Sequence, residues 1–181
     1  MRRMRWMLGN AAALIGLLHA FPACAETDSK TVKVSATIVP RLELSVSPET
    51  GQDIAFGVIE QPATGETTHR STNVALNVFS NLGRPYQVTQ LVRQPLTNTD
   101  GSSIPSDQFR VETHDAARGT LGAPNTTAIV PGDATTLYLS DERGKSDAFH
   151  ADYSLTVTPH TPAGAFGTEI VYTVTSLSRR P

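Results

Sequence analysis

Four histidines follow residue 25: His69, His114, His150 and His160. Imidazole is the side chain best placed to move protons or ligate transition metals near neutral pH, so the neighbours of each decide what chemistry is open to it. His150 and Asp152 are spaced i, i+2, which on a strand puts both side chains on one face. They could form one edge of a metal site, or a base with its orienting carboxylate. That face is opposite the one carrying Tyr153, Leu155 and Val157, and is therefore the wet one. His114 is followed directly by Asp115. Each histidine lies beside a turn or at a strand end, where an isolated imidazole is normally a solvated surface group, and a pair supplies too few ligands for a zinc site. The expectation is no metal and no catalytic residue. Asp141, Glu142 and Asp147 flank the turn at Gly144 without the spacing of a calcium loop, and read as a solvated hairpin tip.

The wider motif search supports a non-enzymatic reading with no cofactor. The chain has no G-x-S-x-G elbow, P-loop, G-x-G-x-x-G or H-E-x-x-H. A hydrolase would have to bring nucleophile and base together from distant strands. Asn125-Thr126-Thr127 matches a glycosylation sequon, a triplet that also arises by chance in Thr-rich chains. Sugar-binding faces need exposed aromatic platforms. Here Phe56, Phe109, Tyr153 and Tyr172 occupy alternating positions that point to a core.

The first 25 residues read as a Sec signal peptide. Arg2, Arg3 and Arg5 form a positive start, Trp6 to Leu18 a short apolar run, and Ala23 and Ala25 an A-x-A cleavage site. The run is too short for a permanent membrane span. Cys24 opens a lipoprotein alternative, against which Phe21 and Pro22 stand. Cleavage after Ala25 leaves 156 of the 181 residues and removes every Met, the one Trp and the one Cys. It also removes three of the 15 basic residues, so 12 face 17 acidic ones, a formal charge of −5. An acidic surface disfavours nucleic acid and anionic membrane as partners. Without cysteine, thiol catalysis, thiolate metal sites and disulfides are excluded from that portion, and stability must come from core and backbone pairing.

From residue 31 onward the dominant period is two. Val32/Val34/Ala36/Ile38, Leu42/Leu44/Val46, Ile54/Phe56/Val58, Val74/Leu76/Val78, Phe109/Val111, Leu137/Leu139, Tyr153/Leu155/Val157 and Ile170/Tyr172/Val174 alternate with mostly polar residues. Such alternation places one set of side chains on the core face of a pleated strand and the other in water. Gly, Pro, Asn and Asp clusters separate the runs, and no apolar stripe of helical period lasts three turns. The fold class expected is all-β: an immunoglobulin-like antiparallel β-sandwich of about eight to ten strands, with a short helical turn near Pro105 to Gln108. The organisation expected is a signal peptide (1–25), an N-terminal extension or donor strand (26–40) and a β-sandwich domain (41–181). Arg93 to Gly122 is the least strand-like stretch and is expected to hold an excursion or loop at one end of the sandwich.

The segment Thr31-Val-Lys-Val-Ser-Ala-Thr-Ile-Val-Pro40 has two physical roles open to it. It can be the first strand of its own sandwich, or it can pair with a neighbouring subunit by β-strand addition, in which backbone hydrogen bonds supply affinity and alternate side chains fill pockets. Ten residues at about 3.3 Å each span roughly 33 Å, the length of a sandwich. An alternating strand ending in Pro shortly after a signal peptide, followed by a Leu-x-Leu-x-Val strand, resembles the chaperone–usher pilins, most nearly the alternate class that builds colonisation-factor fimbriae. Three further stretches are similar to that family: Tyr153-Ser-Leu-Thr-Val-Thr-Pro, the run Pro162-Ala-Gly-Ala-Phe-Gly-Thr-Glu-Ile-Val-Tyr-Thr-Val, and the D-F-G-like Asp53-Ile-Ala-Phe-Gly-Val-Ile. The missing disulfide agrees with the alternate class.

The resemblance implies that Val32, Val34, Ala36 and Ile38 are donor positions contacting neighbouring pilus subunits. It implies a periplasmic chaperone and an outer-membrane usher as assembly partners, a host or surface receptor as a further partner, and passage through the periplasm to a surface fimbria. A sandwich lacking one strand exposes an apolar groove and open edges that must be covered before assembly. The alternative is a self-complete secreted sandwich that binds a protein or glycan through its loops, Arg93 to Gly122 foremost.

Overall fold

The computed structural model describes residues 30–178. Its sheets are built from the β-branched and aromatic alternation that favours a pleated, half-buried surface. β2 (Thr68–Ser80) buries Val74, Leu76 and Val78. β3 (Tyr86–Val92) buries Tyr86, Val88 and Val92, and β8 (Asp147–Val157) buries Phe149, Ala151, Tyr153, Leu155 and Val157. β1 is Leu42–Pro48, β4 Phe109–His114, β5 Thr120–Leu121, β6 Thr127–Ala128, β7 Ala134–Leu139 and β9 Ile170–Ser176. Nine strands are thus present among the described residues, with one 3₁₀ turn at Ser106–Gln108 and no α-helix.

The strands form two antiparallel sheets, ordered β1-β2-β8-β4-β6 and β5-β7-β3-β9. Their inner faces contribute to a single apolar cluster, in which Tyr138 stacks on Phe149 with ring centroids 4.9 Å apart. The fold is therefore an all-β antiparallel sandwich. One polar chain crosses the core: the Tyr172 hydroxyl donates to that of Tyr153 at 2.8 Å, and Tyr153 donates to Oε1 of the buried Gln90. Burial pushes the Tyr172 hydroxyl up to about 12 and Tyr153 well above its ordinary value. Both phenols thus stay protonated and able to donate at ordinary pH.

Two expectations need correction. Ile54, Phe56 and Val58 alternate, yet residues 54–60 belong to no strand: Ile54 and Phe56 pack against the core while Val58 is 93% exposed. Leu137 and Leu139 do not share an inward face. A bulge opposite Val88/Thr89 inserts Leu137 as an extra residue, so Leu137 and Tyr138 are both buried and Leu139 is turned outward. Arg93 to Gly122 holds the largely irregular run 93–105 and also β4, the strand expected from Phe109 and Val111, which lies between β8 and β6.

Candidate functional site

The chain divides at Thr37/Ile38 into two units. In the first, Val32, Val34 and Ala36 are exposed, Val32 at 80% and Val34 at 93%. In the second, Ile38 is 82% exposed. Among the described residues, Thr31 to Val39 belongs to no strand of either sheet. Valines and an isoleucine exposed at alternate positions are the kind of apolar surface a chain in water normally covers. Ala23 and Ala25 lie outside the described residues.

The second unit carries a groove of about 1210 Å³. It lies beside one terminal strand of each sheet: among the described residues β1 pairs with β2 alone and β9 with β3 alone. Val46 and Pro48 of β1 and Ile170 to Tyr172 of β9 form its walls, and Leu96, Ile104, Phe109, Leu155 and Val157 its apolar floor. Two irregular segments rim it. The Gln52 to Gln61 excursion lays Phe56 edge-on to Phe109, centroids 6.1 Å apart, and is tied down where the Gln61 amide donates to the Pro159 carbonyl. The Thr161 to Glu169 loop is latched by paired backbone bonds between Thr97 and Gly167 (3.2 and 3.1 Å) and by the Thr168 hydroxyl donating to the Gln94 carbonyl at 2.6 Å.

An apolar trough between two edge strands can accept an extended segment, supplying backbone hydrogen bonds from the edges and pockets for alternate side chains. Asp53 and Glu169 are the acidic residues that line it.

The histidines expected to stand alone on the surface do not all do so. His69 and His160 remain apart. His114 and His150, in contrast, are directly opposite each other in the β4/β8 ladder and stack with centroids 5.5 Å apart. Asp115 accepts a hydrogen bond from His114 Nδ1 at 2.7 Å, and Asp152 lies 3.2 Å from His114 Nε2, an ion-pair distance whose alignment falls short of a hydrogen bond. The Asp115 hydrogen bond, with Asp152 behind it, raises the His114 pKa against the opposing effect of burial. Local sequence showed two His/Asp pairs, and only the cross-strand register merges them. Asp147 also departs from its expected place on a solvated tip. It accepts from the Tyr138 hydroxyl at 2.7 Å and from the backbone N–H groups of Arg118 (2.8 Å), Ala148 (2.9 Å), Ala117 and Gly119 (both 3.3 Å).

Fold and geometry together define an antiparallel β-sandwich with one open, apolar side. No protein-family model matches the chain, and no curated protein matches it.

Proposed function

We propose that this chain is an exported structural or adhesive subunit of a surface fimbria, joined to its neighbours by β-strand complementation. The observation that carries the reading is the presence in one molecule of an apolar trough beside the edges of β1 and β9 that are unpaired among the described residues, and of a strand-length alternating segment, Thr31 to Val39, that belongs to no strand there. In this reading Val32, Val34, Ala36 and Ile38 of one copy fill the trough of the next. A periplasmic chaperone covers the trough until an outer-membrane usher exchanges the two, and the signal peptide with cleavage after Ala25 delivers the subunit to the periplasm. The resemblance to alternate-class pilins and the period-two patterning support it.

The test compares chains 26–181 and 41–181 at high concentration by light scattering and by unheated SDS gels. The longer chain should form SDS-resistant multimers that heating dissolves, and the shorter should stay monomeric and bind a synthetic 31–40 peptide. A monomeric 26–181 chain would overturn the proposal. Binding of a glycan or protein that persists in 41–181 would favour a self-complete sandwich acting through its loops.

A further inference from the structure

We infer that His114, Asp115 and His150 form a binding site for a divalent transition-metal ion of the zinc type on the outer face of the five-stranded sheet. One donor atom from each of the three lies within 4.8 Å of the others. The distances lie close to those a bound ion needs. Ligands about 2.0 Å from a tetrahedral zinc sit roughly 3.3 Å from one another. The Asp115 carboxylate is 2.7 Å from His114 Nδ1 and 3.6 Å from His150 Nδ1, so a small opening of one contact and closing of the other admits the ion.

Three features of the backbone and the surrounding side chains hold this arrangement. His114 and His150 are register partners at the end of β4, which fixes their rings side by side. Asp115 is the one non-glycine residue with positive φ (63°) among the described residues, and this turn follows β4 immediately, bringing its carboxylate back to both imidazoles. Asp152 stands at the other nitrogen of His114 and is itself anchored by the Asn73 amide at 2.6 Å, the placement of an outer carboxylate that orients a ligating imidazole. His150 Nδ1 is closed off from water and has no hydrogen-bond partner. An enclosed nitrogen left unpaired is costly, and a metal ion would satisfy it.

Two imidazoles with one carboxylate suit zinc, copper or nickel. They suit calcium poorly, since it requires six to eight oxygen ligands. Three protein ligands leave one coordination position open on a half-exposed face, available to water or to a donor from another molecule. The site lies on the sheet's wet face and does not depend on the fimbrial reading.

The test uses untagged chain 26–181 stripped with chelator and titrated with Zn²⁺ by calorimetry, with ring resonances followed by NMR. One ion should bind per chain, perturbing the His114 and His150 rings and leaving those of His69 and His160 in place. His150→Ala and Asp115→Asn should each weaken binding at least about tenfold, and Asp152→Asn by roughly 10- to 100-fold. His69→Ala should bind like the parent. Circular dichroism of each metal-free variant separates a lost ligand from a lost fold. If folded His150→Ala binds Zn²⁺ as tightly as the parent, or if the parent binds none, the inference is wrong.

Discussion

The two sides of this sandwich are finished in different ways. On the side of β5 and β6 the chain after β4 crosses from one sheet to the other and back. It is bound at each step: Gly122 N–H donates to the Leu137 carbonyl at 2.8 Å, Thr113 N–H to the Ala123 carbonyl at 2.6 Å, and Asp147 gathers four backbone N–H groups and a phenol. On the side of β1 and β9 the outer edges have no strand partner among the described residues, and irregular segments rim a trough. Edges left open in this way invite pairing, and proteins usually blunt or cover them. The contrast separates a side strapped by the chain's own crossings from a side whose strand edges border a trough, the place where the proposal would add another strand.

The closed side should be the less forgiving, and Gly122 tests it most severely. A Cβ there would collide with the backbone carbonyl of Thr136, a group that cannot rotate away. Gly122→Ala should cost about 3 kcal/mol, read from urea or thermal unfolding, because backbone must shift to admit the methyl group. A loss near zero would mean that the crossing strap is not tightly seated and that the contrast between the sides is overstated.

Asp147 provides the next largest effect and a pH signature. Burial pushes its carboxyl up, but the Tyr138 hydroxyl and the N–H groups of Ala148, Arg118 and Gly119 together outweigh this and hold it below the ordinary value of 3.8. A carboxyl with a lowered folded-state pKa stabilises above its unfolded pKa, and that stability is lost as pH falls through the folded value. Asp147→Asn should therefore cost about 2 kcal/mol at neutral pH. The penalty should shrink on acidification below about pH 4, as the parent loses the same charge. A penalty constant from pH 7 to pH 2 would show that the charge of Asp147 contributes nothing.

What could be read in advance divides along the same line between local and non-local information. The alternations Val74/Leu76/Val78 and Tyr153/Leu155/Val157 identified buried faces correctly because each is a property of one strand. Leu137 could not be placed, since a bulge is decided by the register of the partner, here at Val88/Thr89. Ile54 and Phe56 showed which side faces the core, but alternation does not reveal whether a backbone has a hydrogen-bonding neighbour, so an apolar groove could be expected from the resemblance but its walls could not be located. Asp147 looked like one of several acids at a turn, and only the fold supplies the N–H groups that converge on it. The His114/His150 pairing is likewise a consequence of how β4 meets β8, 36 positions apart in the chain.

The smallest effect probes the open side. Phe56 is only half-buried, touching Phe109 edge-on from an excursion with no ladder of its own. Phe149 is 1% exposed and stacked on Tyr138 within the body of the sandwich. Truncating a fully buried phenylalanine typically costs about 3–5 kcal/mol, through lost transfer energy and the cavity left behind. Phe56→Ala removes less buried area, and its neighbours at the trough can settle or admit water. It should therefore cost about 1–2 kcal/mol, most of it area and the one aromatic contact. Equilibrium unfolding of Phe56→Ala and Phe149→Ala side by side measures the difference directly. Equal losses would mean that the excursion seals the sandwich as firmly as a strand would, leaving no trough for an incoming segment to enter. A clear gap, with the Phe56 variant nearer the parent, would identify the excursion as a loosely held rim that an added strand could displace or pack against.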